Sequence, residues 1–273
     1  MKATVQTLPG YRSPAIPQAV EEWTGPHMES WLCECTFIHH DKDTLLWSQH
    51  TEDGTRAVFK MYHHRGPVSW WRETRFRFRV QREFDALTHL EHHGIPCSKP
   101  LFWSFGRSAN HGRYEVLATR EIPVVVPLVR LLASLPPRQQ APDMSSLFQI
   151  VRRMHDSGLY HGSLYLRNVL VTRIGSQDMF HIIDTPKAVV LPYSIVGRRL
   201  ARTDLSDLTQ GVVTYCGPDW TLPLLLHYGM DRSAALDFLS RLRRYRSTKL
   251  KRNLQRAESV LQESLARVRH ADV

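Results

Sequence analysis

Apolar residues in the middle of the chain first recur with helical spacing and then switch to strand spacing. Leu147, Ile150, Val151 and Met154 fall at i, i+3, i+4 and i+7, one face of a helix that Gly158 stops. A polar loop over 159–168 leads into Val169-Leu170-Val171, a turn at Gly175-Ser176-Gln177-Asp178, and Phe180-His181-Ile182-Ile183, which ends on Asp184. The spacing predicts helix, loop and β-hairpin in that order. Upstream the pattern is β: residues 33–38, 44–48 and 56–62 read as strands, the last two joined by the hairpin turn Glu52-Asp53-Gly54-Thr55. Val80, Phe84, Leu87 and Leu90 then form a helical stripe closed by Gly94-Ile95-Pro96. Strands at 101–105 and 114–119 follow, with their turn at Asn110-His111-Gly112. Pro127 opens a short helix, and Pro136, Pro137 and Pro142 make a linker. The segment 202–208 starts another helix, and the remainder is helical, ending on an amphipathic stretch through Leu250, Leu254, Ala257, Leu261, Leu265 and Val268. Residues 1–30, with four prolines and little periodicity, read as an extended arm. The expected architecture is α+β with two lobes: the arm 1–30, a β-rich lobe 31–121 and a mainly helical lobe 122–273.

Candidate chemistry sharpens that picture. A single lysine, Lys60, sits inside an otherwise apolar strand, and Glu83 lies beside the stripe of the following helix. The order of hairpin, apolar strand with Lys, and helix with Glu fits a lysine that grips nucleotide phosphates. Glu83 is the expected partner, with Glu73 and Glu91 as alternatives. Phosphoryl transfer further needs a loop residue facing the acceptor hydroxyl, an Asn five positions on, and an Asp after the next strand, the last two holding Mg²⁺. Asn168 and Asp184 stand at those positions, but the acceptor-facing position, normally Asp, is Ser163. Arg120-Glu121-Ile122-Pro123 falls where such a chain crosses between lobes, so backbone groups of Glu121 and Ile122 are expected to face an adenine.

Composition bounds the setting. The chain has 273 residues, 42% hydrophobic and 23% charged, with no apolar run near the length of a membrane span. Met1 to Gln6 has no apolar core of a secretory signal, and four cysteines are too few for a disulfide scaffold, so a reducing, cytoplasmic setting is expected. A net charge of +10 calls for an anionic partner: a phosphorylated glycolipid, a membrane surface or nucleic acid. Arg72, Arg75, Arg77, Arg79 and Arg82 interleave with Trp70, Trp71, Phe76 and Phe78. Three readings fit: arginines snorkelling over their own core, a contact with an anionic glycan or lipid headgroup, or single-stranded nucleic acid. No recognition motif accompanies the charge, so nucleic acid is not the expected partner. The run of basic residues from Arg241 to Arg256 is either a solvated helix face or a peripheral contact with an anionic leaflet. Cys33 and Cys35 near His39 and His40 fall short of a structural zinc set, and the histidine pairs are given no chemistry.

His161-Gly162-Ser163-Leu164-Tyr165-Leu166-Arg167-Asn168-Val169-Leu170-Val171, then Ile182-Ile183-Asp184, then Arg202-x-Asp204-Leu205 resembles the lipopolysaccharide kinase family, the Kdo and heptose kinases of Gram-negative bacteria. Arg82-Glu83-Phe84 with Leu87, Leu90 and Gly94-Ile95-Pro96 resembles the same family's helix after the lysine strand. His-Gly in the loop, Thr185-Pro186 after Asp184, and the lack of a glycine-rich loop or an Ala-Pro-Glu signal set the chain apart from eukaryotic-type protein kinases. The resemblance implies a protein-kinase-like fold and Mg-ATP-dependent phosphorylation of a core sugar on lipopolysaccharide or a lipid A precursor. The site is expected at the cytoplasmic face of the inner membrane. It implies further that Lys60 and Glu83 serve the α/β-phosphates, Asn168 and Asp184 hold metal, His161 braces the loop and Asp204 anchors it. No base carries over to Ser163, and Asp156 and Asp207 are the next acids to consider. Two functions stay open: a sugar kinase, or a nucleotide-binding pseudokinase with a regulatory or binding role.

Overall fold

Strand β4 (Arg56–His64) shows how the first half of the chain sorts its side chains. Ala57, Phe59 and Met61 point to one face, where they pack with Trp47, Phe102, Tyr114, Val116 and Ala118 in a small core. The strand's two-residue period therefore turns Lys60 to the opposite face. That face is covered by helix α1 (Arg79–His92), whose buried stripe is Val80, Glu83, Phe84, Ala86, Leu87 and Leu90. The computed structural model describes residues 4–7, 36–40, 44–51, 54–64, 78–108, 112–134, 143–174, 177–192 and 195–242. The Cys33–Cys35 pair, the Arg/Trp segment 70–77 with Glu73, and the basic segment beyond 242 lie outside these residues.

The first sheet takes β1 (Thr4–Thr7), β2 (Thr36–His40), β3 (Thr44–His50), β4, β5 (Pro100–Ser108) and β6 (Gly112–Arg120), in the order β1-β5-β6-β4-β3-β2. Every pairing in it is antiparallel. Gly54 makes the β3–β4 turn at φ 76°, where the amide of Thr51 reaches the carbonyl of Thr55 at 2.7 Å. Residues 4–7 pair with β5, so part of the arm is an edge strand of this sheet.

After β6 the chain crosses over and forms β7 (Val125–Pro127) and α2 (Leu128–Ser134). Helix α3 (Ser145–Asp156), β8 (Leu159–Tyr160), a 3₁₀ turn (Leu166–Asn168), β9 (Val169–Ile174), β10 (Gln177–Ile182) and β11 (Val189–Val190) follow. Helix α4 (Ile195–Cys216), a 3₁₀ turn (Pro218–Trp220), α5 (Thr221–His227) and helical residues 232–242 complete the described chain. One large apolar core runs from Tyr62, Trp103 and Leu117 on the sheet through α1 into α3, α4 and α5, so both halves share a single packed interior. A second tie is local: Ile182 donates its amide to the carbonyl of Pro96, and Cys97 bridges to Ile182. The half-buried Cys97 thiol is pushed up to about 12 by burial first and then by Glu91.

Two elements differ from the sequence expectation. β7 was not expected, since three residues are too few to show a period; the short helix expected at Pro127 is α2, which starts one residue later at Leu128. The 202–208 segment lies inside α4, which begins at Ile195. The reason is visible in its first turn, where Ile195 and Val196 point outward and cancel the amphipathic signal.

Gly158 carries the stop between α3 and the site. Its φ is 84°, and an added Cβ would lie 2.5 Å from the carbonyl oxygen of Leu191. Gly158→Ala therefore combines left-handed strain with a backbone clash, and unfolding in urea should show a loss of about 2–4 kcal/mol. An unchanged midpoint would refute the account.

Candidate active site

The site is assembled around Lys60. Its Nζ lies 3.0 and 3.2 Å from the two oxygens of Glu83 on α1 and contacts Oδ1 of Asp184, just after β10. The Tyr62 hydroxyl donates to Glu83 Oε2 at 3.3 Å, and the Arg79 guanidinium stacks 4.0 Å from the Tyr62 ring. Thr185 adds a hydrogen bond to the carbonyl of Glu83. Burial works against the Lys60 ammonium, but Glu83, Tyr62 and Asp184 outweigh it and raise its pKa. Burial alone would lift the Asp184 carboxyl; Lys60, by charge and hydrogen bond, with His161 and Arg79 behind it, holds it below the usual carboxylate range. Burial, and next Glu83, push the Tyr62 phenol up. Lys60 is therefore a fixed cation, and Asp184 a fixed anion, at neutral pH.

Asp184 has φ 59°, a left-handed conformation that costs a non-glycine residue about 1–2 kcal/mol. It is held there from both sides of Ile183: the Ile183 amide donates to the carbonyl of Asn168 at 3.0 Å, and its carbonyl accepts from Nε2 of His161 at 3.0 Å. His161 is fully buried, and its Nδ1 finds no hydrogen-bond partner among the described residues.

The loop 161–168 is anchored through its backbone. Asp204, fully buried on α4, accepts from the amides of His161 at 2.7 Å and Gly162 at 2.8 Å. His155 Nε2 adds a donor to Asp204 at 3.3 Å, while its Nδ1 accepts from the Tyr228 hydroxyl at 2.9 Å. A buried carboxylate needs such donors to offset its lost hydration. At the other end of the loop, the Asn168 Nδ2 donates to the carbonyl of Ser163 at 2.9 Å, which leaves Asn168 Oδ1 as an acceptor. Ser163 is buried at the position that would face an acceptor.

The structure thus brings Lys60, Glu83, Asn168, Asp184, His161, Ser163 and Asp204 into one connected network. Glu121 directly follows β6 beside Arg56, to which its carboxylate is paired at 3.1 Å, and Ile122 comes next in the crossing. Of the alternatives to Glu83, Glu91 pairs with Lys99 at 2.8 Å and Glu73 lies outside the described residues. Asp156 is paired with Arg152 on the helix surface, and Asp207 is buried in α4. Among the described residues no cluster of three or more His, Cys, Asp or Glu could hold a metal unaided. Mg²⁺ is usually held by one or two protein ligands together with phosphates and water, and the Asn168–Asp184 pair fits that habit.

Glu115 was missed in the sequence. Fully buried on β6, it accepts from the backbone amide of Val80 at 3.0 Å and meets His64 Nε2 at 2.6 Å. It therefore caps the first turn of α1 and fixes the helix that presents Glu83. The signal was available, since an acid inside the run Tyr114 to Ala118 is as anomalous as Lys60 in β4.

Several known proteins are similar to this chain. The model of the lipopolysaccharide kinase (Kdo/WaaP) family matches residues 39–221, well over half of the chain. A 3-deoxy-D-manno-octulosonic acid kinase from Mannheimia succiniciproducens is 23% identical over 192 residues, 64% of this chain and 77% of that protein. One from Actinobacillus succinogenes is 25% identical over 151 residues, 52% of this chain and 62% of that protein. Among solved structures, WaaP in complex with acyl carrier protein superposes with a TM-score of 0.61 at 15% identity, over 89% of this chain and 97% of that one. The Rio2 kinase of Chaetomium thermophilum, with ADP, Mg²⁺ and phosphoaspartate, gives 0.53 at 16% identity, over 95% and 82%. The fold is protein-kinase-like, with a sheet-rich first lobe and a helical second one.

Glu115→Gln keeps the shape but replaces one acceptor oxygen by a donor. Urea unfolding should lose about 1–3 kcal/mol, and the stabilisation by Mg-ATP should shrink because Glu83 is presented less firmly. Wild-type values for both would show that Glu115 does not position α1.

Proposed function

The chain belongs to the lipopolysaccharide kinase (Kdo/WaaP) family, and on that premise we propose that it transfers the γ-phosphoryl group of ATP to a core sugar, Kdo or heptose, of lipopolysaccharide or a lipid A precursor. The observation that carries this reading is the contact of one ammonium, Lys60 Nζ, with Glu83 of the first lobe and Asp184 of the second. Lys60, steadied by Glu83, binds the α/β-phosphates, and backbone groups at Glu121 and Ile122 meet the adenine. Asn168 Oδ1 and the Asp184 carboxylate would hold Mg²⁺, which when bound neutralises charge on the transferred phosphoryl group. His161 fixes the carbonyl before Asp184, and Asp204 fixes the amides that lead to Ser163. The work takes place at the cytoplasmic face of the inner membrane. The association proposed is peripheral; no helix among the described residues is long and apolar enough to cross a membrane. The acyl carrier protein bound in the WaaP complex makes such a carrier the first protein partner to test.

Ser163 supports a second reading. Its hydroxyl orients an acceptor but does not take up a proton near neutral pH, and a general base is worth about 10²–10⁴-fold. The protein then either transfers slowly, by positioning and metal electrostatics, or holds nucleotide as a pseudokinase with a regulatory role.

Mg-ATP should raise the thermal midpoint, with about 2.7 kcal/mol of stabilisation at a hundredfold excess over Kd. Lys60→Ala or Asp184→Asn should abolish most of the shift, and no shift in the wild type at millimolar Mg-ATP would refute the nucleotide site. Ser163→Asp restores a carboxylate at the acceptor position. Turnover on a delipidated core oligosaccharide should rise by roughly 10²-fold or more if the protein is a base-deficient kinase, and stay at zero if it is a pseudokinase. Wild-type turnover of about 1–100 s⁻¹, lowered by the substitution, would refute both and send the search for a base to Asp156 and Asp207.

A further inference from the structure

An exposed aliphatic cluster of the second lobe lies next to the loop that carries Ser163. Ile195 is 79% exposed, Val196 58%, Val190 50% and Val189 41%. Lone exposed aliphatic residues are ordinary, but these four belong to one short stretch. β11 pairs antiparallel with β8, Val189 opposite Tyr160 and Val190 opposite Leu159. The first turn of α4 is set tightly on the same β8: a Cβ added at Gly197 would fall 2.2 Å from the Tyr160 hydroxyl. Glycine is required there because backbone meets side chain. Both apolar pairs are therefore tied to β8, Val189 and Val190 through β11 and Ile195 and Val196 through the first turn of α4.

The charge around them has one sign. From Lys187 to Thr203 the chain has no acidic residue, and Lys187, Arg198, Arg199 and Arg202 are all exposed. Ile195, Arg198, Arg199 and Arg202 follow the i, i+3, i+4, i+7 spacing of one helical face. Behind that face opens a cleft of about 180 Å³ lined by Arg152, His155, Arg198, Arg202 and Tyr228, with Asp156 paired to Arg152 at its edge. An aliphatic apex with a cationic flank is the design of a surface that lies in a lipid interface.

Its place beside the site gives it a use. An added Cβ at Gly162 would lie 2.8 Å from the carbonyl oxygen of Lys187, so the stretch that begins this surface packs directly on the residue before Ser163. We propose that Val189, Val190, Ile195 and Val196, with Lys187, Arg198, Arg199 and Arg202, form the docking surface for an anionic phospholipid bilayer and bring Ser163 down to a lipid-linked acceptor. The inference rests on the proposed amphiphilic substrate and adds the surface that meets it. It differs from the basic run beyond Arg241, because insertion of aliphatic side chains, rather than charge alone, sets the orientation.

Flotation of the full-length protein with phosphatidylcholine vesicles, with and without phosphatidylglycerol, tests the surface. Wild type should bind the anionic vesicles far more strongly and lose binding at high salt, about fivefold per cation engaged. Ile195→Glu with Val196→Glu should weaken that binding at least tenfold, while the thermal shift with Mg-ATP and turnover on a delipidated oligosaccharide stay at wild-type values. Undiminished vesicle binding by this variant overturns the proposal and leaves the basic segment beyond Arg241 as the anchor. Equal binding to neutral vesicles overturns it too, and no wild-type binding to either gives the face to a protein partner. Failure of the kinase reading would appear separately, as absent phosphoryl transfer with vesicle binding intact.

Discussion

One buried ammonium holds the two halves of this protein in register. Lys60 comes from the central part of the first sheet, Glu83 from the helix laid across it, and Asp184 from the segment that follows the second-lobe hairpin. Remove the cation and two carboxylates are left facing each other in a partly desolvated space, which is far more costly than the loss of one surface ion pair. The arrangement also explains why α1 must be fixed so carefully. Glu83 reaches Lys60 only if the helix keeps its rotation and its height, and both are set at its N-terminus by Glu115 and along its length by the large core. A second acid buried in the sheet thus serves the first.

The same economy appears beneath the loop. Asp204 meets the amides of His161 and Gly162, while His155 and Tyr228 extend the chain of hydrogen bonds into α3 and the segment after α5. His161 and Asn168 then clamp Ile183, and so place Asp184 in its left-handed conformation. Strain at Asp184 is tolerable because both its neighbours are fixed, Ile183 by His161 and Asn168 and Thr185 by the carbonyl of Glu83. Asn168 and Asp184 are in this sense the last links of a network whose root lies in α4.

Sequence periodicity exposed the parts of this network that break a local rule. Lys60 interrupts an apolar strand, Gly158 ends a clear helix, and Asn168 and Asp184 keep a fixed spacing around a hairpin, so each was legible without a structure. Glu83 was legible as the expected partner of Lys60 from its place beside the helical stripe, with Glu73 and Glu91 as alternatives, and the pair forms. What stayed hidden was relational. Glu115 carries meaning only through Val80 and His64, which are distant in sequence, and His155 only through Asp204 and Tyr228. The start of α4 was misread for another reason: Ile195 and Val196 point outward, and a pattern that presumes apolar residues face inward cannot place them.

The loop's geometry and its chemistry are separable, and that is why Ser163 can stand where an acid is expected. Every recorded hydrogen bond that shapes the loop around it uses main-chain atoms: the amides of His161 and Gly162, the carbonyl of Ser163 that receives Tyr165 and Asn168, and the two sides of Ile183. The side chain at 163 is not needed to build the turn. The turn therefore does not depend on the side chain at 163, whereas Asn168, His161 and Asp204 hold its backbone. A substitution at 163 leaves the frame standing and changes only whether a proton has somewhere to go. A base is worth about 10²–10⁴-fold in a step whose larger share comes from positioning and metal electrostatics. The backbone frame of the loop is built without the side chain at 163, so the consequence of Ser163 falls on chemistry rather than on fold.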